Sequence, residues 1–313
     1  MVIPAYKSLY FDQTLDSLSR QTCKDFIVYI GDDASPENLI EIIDKYKSRI
    51  PIVYKRFESN LGGLDLVAHW ERCIDLVKEE EWIWFFSDDD VASSDCVEGF
   101  YKTLKLYDNT GNLFNKVLRF NLVITDKELN PAHKYLTPDS FSVEYFLENQ
   151  FISHTLDNRA VEFIFYRSSF YEKGKFVKFP LAWGSDKATI LKLAQPEGFI
   201  TILKGEVFWR SSEHNISGNS NQLMNIPKAL ALNQRNRWMF GFIQSYRSSS
   251  FFYGMVYRIM HNITTNQAFS ILRDRGIKDF RLKFIVFLLG GFIRFKKIIK
   301  FRQIKQVISK IFN

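Results

Sequence analysis

Ser87-Asp88-Asp89-Asp90 directly follows the apolar run Trp82-Ile83-Trp84-Phe85-Phe86. Five large apolar residues in series predict a strand covered on both faces, as in a parallel sheet. Carboxylates at the end of such a strand fall on the carboxyl edge of the sheet, where open α/β sheets bind ligands. Three adjacent carboxylates repel one another, and a bound divalent cation relieves that repulsion. The other reading of the run is a solvated turn that caps the next helix. Two more strand ends carry polar groups that would share this edge: Pro4-Ala5-Tyr6 after Val2-Ile3, and Asp32-Asp33-Ala34-Ser35 after Phe26–Ile30. Together they could hold a nucleotide, with backbone and one carboxylate on the base and a metal carboxylate near the phosphates. No GxGxxG and no GxxxxGK[ST] is present, so phosphate charge would be met by a cation rather than by a glycine-rich loop.

The elements that must position these groups alternate. A strand stub at Val2-Ile3 is followed by an amphipathic helix over 11–20 and a strand over 26–30. A helix opened by Pro36 runs to about residue 47. A strand at Ile52-Val53-Tyr54 precedes the turn Asn60-Leu61-Gly62-Gly63, a helix over about 64–78, and the strand 82–86. Short strands alternating with helices predict an α/β doubly wound parallel sheet. Beyond residue 100 the pattern is less regular. Strands are expected over 117–124 and 160–166, a helix over 187–194, strand structure over 199–209, and a loop over 211–221. From Lys228 onward the sequence reads as helical. The expected division is a catalytic domain over 1–225, in halves 1–100 and 101–225, and a helical, basic C-terminal region over 226–313.

Several ordered segments resemble the opening of a family 2 glycosyltransferase. They are Val2-Ile3-Pro4-Ala5-Tyr6, Ser17-Leu18-Ser19-Arg20-Gln21-Thr22, and the strand leading into Asp32-Asp33-Ala34-Ser35. The family reads V-I-I-P-[TA]-Y-N, S-[IL]-x-x-Q-T and V-D-D-G-S in that order. The Asn60-Leu61-Gly62 turn and the Asp89-Asp90 pair resemble its later elements. The resemblance covers residues 1–100 strongly and 180–220 weakly.

It implies a GT-A fold, that is, a Rossmann-like, mainly parallel mixed sheet flanked by helices, here with a helical C-terminal extension. It also implies a nucleotide-sugar donor, usually a UDP-sugar, with Mg²⁺ or Mn²⁺ and inversion at the anomeric carbon. Pro4, Ala5 and Tyr6 match the segment lining the nucleoside, and Asp33 the carboxylate that accepts from the base. Asp89 matches the metal ligand, with Asp90 beside it as a second metal candidate and Asp88 toward the ribose and phosphates. Asp186, in Trp183-Gly184-Ser185-Asp186, matches the general base that takes the acceptor hydroxyl's proton; its other reading is a helix cap. Arg210 and His214 match a late loop near the diphosphate and the metal, while a lone His is also an ordinary surface residue. The chain departs from the pattern at Ser87 for Asp, Lys7 for Asn, and His69-Trp70 for Arg-Asn.

Composition bounds the rest. With 46% hydrophobic and 16% aromatic residues among 313, the chain has ample material for a core. Cys23, Cys73 and Cys96 share no close spacing, so neither a disulfide framework nor a metal knuckle is expected, and a reducing compartment suits them. No signal peptide is expected, and no apolar run reaches membrane-spanning length.

The net charge of +7 belongs to the tail: residues 272–313 hold 12 Lys and Arg against 2 Asp and Glu. A folded body without this excess argues against nucleic-acid binding. Basic residues interleaved with Phe295, Ile298, Ile299 and Phe301 predict either an interfacial helix on anionic lipid or a helix docked on the catalytic domain. The expectation is therefore a cytoplasmic enzyme, peripheral at the inner face of the cell membrane. It would act on a nucleotide-sugar and a saccharide or lipid-linked acceptor in surface polysaccharide synthesis. Rival readings are an inactive GT-A-like binding module and a nucleotidyltransferase.

Overall fold

A computed structural model describes residues 1–107, 113–212, 225–246, 248, 252 and 255–256. His214 and the basic tail from residue 272 lie outside the described residues.

The first part of the chain follows the expected alternation of strands and helices. Strand β1 (Val2–Ala5) leads to α1 (Phe11–Ser19), β2 (Val28–Asp32), α2 (Leu39–Asp44), β3 (Ile52–Arg56), α3 (Leu66–Ile74) and β4 (Trp82–Trp84). After the acidic run come β5 (Val91–Ala92), α4 (Cys96–Tyr107), β6 (Val117–Thr125), β7 (Pro131–Tyr135), β8 (Ser140–Phe141) and α5 (Val143–Glu148). Then β9 (Phe163–Tyr166), α6 (Arg167–Glu172), α7 (Ser185–Ala194), β10 (Phe199–Arg210) and α8 (Asn225–Ile243) follow.

Strands β1, β2 and β3 form a parallel sheet in the order β1-β2-β3. A mixed sheet runs β4-β9-β6-β10-β5, with β7 on β6 and β8 on β10. Its β6–β10 pair is parallel and its other pairs are antiparallel. Against the expectation of one parallel sheet, β4 pairs antiparallel with β9 in this second sheet instead of joining the parallel one. The two sheets meet where Val2 bridges Phe85 in parallel and Phe86 N donates to Val2 O at 2.9 Å.

Helix α1 forms because Phe11, Leu15 and Leu18 recur on one face, and all three are fully buried. Burying each such side chain contributes roughly 1.5–3 kcal/mol. Strand β2 is buried along its whole length, as expected for a strand covered on both faces. Helix α2 starts three residues later than Pro36 suggests. Ser35 Oγ accepts from Glu37 N at 3.1 Å, and Glu37 Oε2 accepts from Ser8 N, which holds residues 35–38 as a turn.

The chain divides into two compact units. One comprises Met1–Val143 with Thr155–Ser220, and the other Glu144–His154 with Asn221–Asn313. The first contains the hydrophobic core described above and every described candidate site residue. In the second, Trp238 and Phe242 stack at 5.0 Å one helical turn apart on α8. Among the described residues no helix is long and apolar enough to cross a membrane.

Candidate functional site

The loop after β4 is shaped by a pairing distant in sequence. Val91 pairs with Phe208 and Ala92 with Val207, so Asp90 is brought beside Trp209 and Arg210 at the end of β10. There Asp90 Oδ1 accepts from Arg210 N at 2.7 Å and Oδ2 from Ser87 Oγ at 2.5 Å. Its carbonyl accepts from Thr14 Oγ1 of α1 at 2.8 Å. Asp88 faces the other way: its Oδ2 accepts from Tyr6 N at 2.8 Å and Lys7 N at 3.0 Å. The acidic loop and the loop after β1 are thereby joined. Asp89 lies between them, half-buried.

Electrostatically this loop is under load. Burial, reinforced by the charge of Asp89, pushes Asp88 up to about 6. The same two causes raise Asp90 well above its ordinary value. Asp89 is raised by burial, and the Lys7 ammonium opposes that rise. Three carboxyls crowded this way favour a counter-cation.

Among the described residues no cluster of three or more His, Cys, Asp or Glu side chains is arranged to enclose a metal. The donor set still suits a cation held mainly by substrate. Asp88 and Asp90 are engaged by amides of other segments and Asp89 by Ser87, so Asp89 would be the carboxylate to meet such an ion. Mg²⁺ in particular binds through one or two carboxylates plus substrate phosphates and retained waters.

The end of β2 is built differently. Asp32, with a fully buried side chain, accepts from Ser35 N at 2.7 Å, Tyr54 Oη at 2.6 Å and Arg56 Nη1 at 2.8 Å. Asp33 accepts from Leu61 N and Gly62 N, each at 2.8 Å, and from Arg72. Gly62 is required there, because a Cβ would stand 2.6 Å from Asp33 Oδ2. Asp33 N also donates to Ala5 O at 3.0 Å, and Ser35 Oγ to Tyr6 O at 2.6 Å. Pro4 and Ala5 thus lie in β1 beside Gly31 and Asp32, and Tyr6 is exposed at the strand's end.

His69 and Arg72 carry no expected role in the sequence reading, yet both reach Asp33. His69 Nδ1 is 3.3 Å from Asp33 Oδ1 and 3.1 Å from Arg72 Nε, and Arg72 also packs over the Phe57 ring at 3.8 Å. Burial pulls His69 down to about 4, so the ring is neutral and Nδ1 serves one of these partners at a time. Helical spacing carries the signal that finds Arg72. His69 stands where the resembling family has Arg, and position 72 shares its helix face one turn on. Cys73 Sγ lies 3.6 Å from His69 Nε2, but burial raises the thiol far above its ordinary range, so it packs rather than attacks.

Asp186 occupies the first turn of α7 and is half-buried. The approach to it is strained: Leu181 and Ala182 take φ of 58° and 53°, before Gly184 at 82°. Two bonds pin this approach onto α7, Phe179 N to Ser185 Oγ at 3.0 Å and Val177 N to Thr189 Oγ1 at 2.8 Å.

A chain of contacts runs from α7 to the acidic loop. Lys187 Nζ is 3.9 Å from Asp157, and Asp157 binds Arg159 at 2.7 Å. Arg159 covers the Trp209 ring at 4.3 Å, and Trp209 adjoins Arg210. Arg210 itself is placed otherwise than the sequence suggests. It is 1% exposed, and its guanidinium donates to the carbonyls of Asp89 and Lys127 and to Gln13. Asp90 likewise is set as an anchor of the loop.

Where the two sheets meet, an acidic loop, the β1 loop and an Asp-Asp strand end share the kind of edge at which open α/β folds bind ligands. The chain belongs to the family described as Glycosyl transferase family 2, whose signature matches residues 1–174, and it is a glycosyltransferase. Solved structures agree on the fold. S. aureus TarS 1-349 in complex with UDP is 13% identical with a TM-score of 0.54, covering 96% of this chain and 92% of that one. The same protein in complex with UDP-GlcNAc is 14% identical at a TM-score of 0.52, over 84% and 78%. This likeness establishes a GT-A-like mixed α/β architecture. No curated protein sequence matches the chain significantly.

Proposed function

We propose that this glycosyltransferase is inverting and metal-dependent, moving a sugar from a UDP-sugar to a hydroxyl of a saccharide or lipid-linked saccharide in surface polysaccharide synthesis. The observation that carries the reading is the Asp88-Asp89-Asp90 loop, raised by burial and mutual repulsion and tied directly to the Tyr6–Lys7 backbone. The UDP and UDP-GlcNAc complexes of the TarS neighbours support the choice of donor.

In this reading Pro4, Ala5 and Tyr6 line the nucleoside, and Asp33 holds the Asn60–Gly62 turn beside it. Asp88 fixes the Tyr6–Lys7 amides and so sets the distance between base site and acidic loop. Asp89 holds the cation, with His214 as a further candidate ligand. A bound Mg²⁺ or Mn²⁺ would offset charge developing on the leaving diphosphate. Asp186 accepts the acceptor hydroxyl's proton as that oxygen attacks the anomeric carbon opposite the diphosphate, which gives inversion. The catalytic region is read as residues 1–225. The basic tail of 226–313 is read as a contact to anionic lipid on the cytoplasmic side, tested by sedimentation with anionic vesicles at low and high salt.

The deciding experiment is a thermal-shift and calorimetry series with UDP and other nucleoside diphosphates, in Mn²⁺ or in EDTA. Ligand at 100 times Kd should stabilise the fold by about 2.7 kcal/mol. UDP in Mn²⁺ should raise Tm most. Equal shifts in EDTA would remove the metal from the reading, and no shift with any nucleotide would remove the donor.

A further inference from the structure

The acidic loop needs something to hold its backbone still, because its own side chains push apart. We propose that Arg210 is a positioning residue that clamps the Asp89–Asp90 peptide from both sides and thereby sets the direction in which Asp89 meets the metal-bound diphosphate. This rests on the metal-dependent reading above and assigns Arg210 a role other than touching the donor.

The clamp has two jaws from one residue. Arg210 N donates to Asp90 Oδ1 at 2.7 Å, and Arg210 Nε donates to Asp89 O at 2.8 Å. The rest of the guanidinium is anchored on elements distant in sequence. Nη2 donates to Gln13 Oε1 of α1 at 2.6 Å, Nη1 donates to Lys127 O after β6, and the group lies 4.0 Å from the Tyr10 ring centroid.

A guanidinium presents its donors in a fixed planar fork, so meeting acceptors on three segments fixes those segments relative to one another. Thr14 Oγ1 adds a third hold, on Asp90 O at 2.8 Å. Burial lowers the Arg210 pKa, but Asp89, Asp90 and Asp126 stand close enough to favour its charged form. The buried cation therefore also offsets some of the repulsion within the loop. The Asp89 carboxylate projects from a backbone that Arg210 holds at both its carbonyl and the following side chain.

Partners behind a metal ligand typically contribute 10- to 100-fold in metal affinity. Arg210→Met removes the guanidinium jaw and keeps the backbone one. It should weaken Mn²⁺-dependent UDP binding by about 10- to 100-fold in calorimetry, with UDP affinity in EDTA close to wild type and a lowered Tm from the acceptors left unpaired. Arg210→Lys keeps the charge but not the fork and should lose most of the same increment. If Arg210→Met does not fold, Gln13→Ala removes one anchor from the partly exposed face of α1 and should weaken Mn²⁺-dependent binding several-fold.

A wild-type Mn²⁺-dependent affinity retained in Arg210→Met, or in Gln13→Ala where the first variant is unfolded, overturns the clamp and leaves the metal reading standing. Near-wild-type binding by Arg210→Lys reduces the role to charge and also overturns it. Equal UDP affinity of the wild type in Mn²⁺ and EDTA overturns both together. A fall of equal size in Mn²⁺ and in EDTA marks general loosening of the nucleotide site and overturns the positioning role.

Discussion

Two strand ends carry adjacent aspartates, β2 in the parallel sheet and β4 in the mixed one, and they are treated in opposite ways. At the end of β2, Asp32 and Asp33 are enclosed by amides, a phenol and two arginines drawn from β3, the Asn60–Gly62 turn and α3. Past β4, Asp88 and Asp90 receive two donors each, and burial and mutual repulsion still raise them. The first pair is a satisfied hub that shapes a loop. The second group is held in a state that a cation would improve, which is where perturbed carboxylates mark chemistry. In the proposed reading the same residue type thus divides into scaffold and reagent according to its supply of donors.

The sharpest way to break this contrast is to neutralise the reagent. Asp89→Asn should lower kcat by about 10³-fold, the upper end for removing one preorganised electrostatic contact. Its urea midpoint should hold or rise, because the charge of Asp89 is one of the causes raising Asp88 and Asp90. Steady-state kinetics and urea melts read both. Retained turnover would make the loop a solvated cap.

The complementary variant attacks the scaffold. Asp33→Ala leaves Leu61 N, Gly62 N and Arg72 without their acceptor. Buried donors left unpaired cost about 1–3 kcal/mol each in the worst case. A loss of about 3 kcal/mol in urea-derived stability is expected. A change within 0.5 kcal/mol, the ordinary scatter for surface sites, would show that Asp33 is not a hub.

Asp186 tests whether the contrast extends to the other half of the sheet. Asp186→Asn should lower kcat by about 10²-fold, with UDP affinity and the urea midpoint nearly unchanged. Full activity would leave Asp186 as part of a helix start and nothing more.

The sequence made the order of strands and helices legible, because short buried strands there alternate with helices whose apolar residues recur at 3.6. The acidic run was legible too, since carboxylates rarely follow five apolar residues without a purpose. The division of labour inside it was not. That depends on β5 pairing with β10, which brings Arg210 to Asp90 across 120 positions. Local reading also placed the start of α2 at Pro36, because nothing nearby shows that Glu37 is drawn to Ser8. Arg72 is not legible locally, because its acceptor Asp33 lies 39 positions away at the end of β2.

His69 offers the finest test, since the hub at Asp33 requires its ring to stay neutral. Burial outweighs the attraction of Asp33 and brings the imidazole down to about 4, from an ordinary 6.5. Between those values the unfolded chain binds a proton that the folded one refuses. Stability is therefore lost as pH falls through 6.5 and levels off near 4, the reverse of a histidine stabilised by a carboxylate. At pH 5 this contributes a loss of about 2 kcal/mol relative to pH 7. His69→Gln cannot titrate, so the difference in urea stability between wild type and variant should shrink or reverse by that amount on going from pH 7 to pH 5. Other groups titrate alike in both proteins and cancel in the difference. A difference that is constant with pH would mean that the ring has the same pKa folded and unfolded, so that its surroundings do not exclude the charged form.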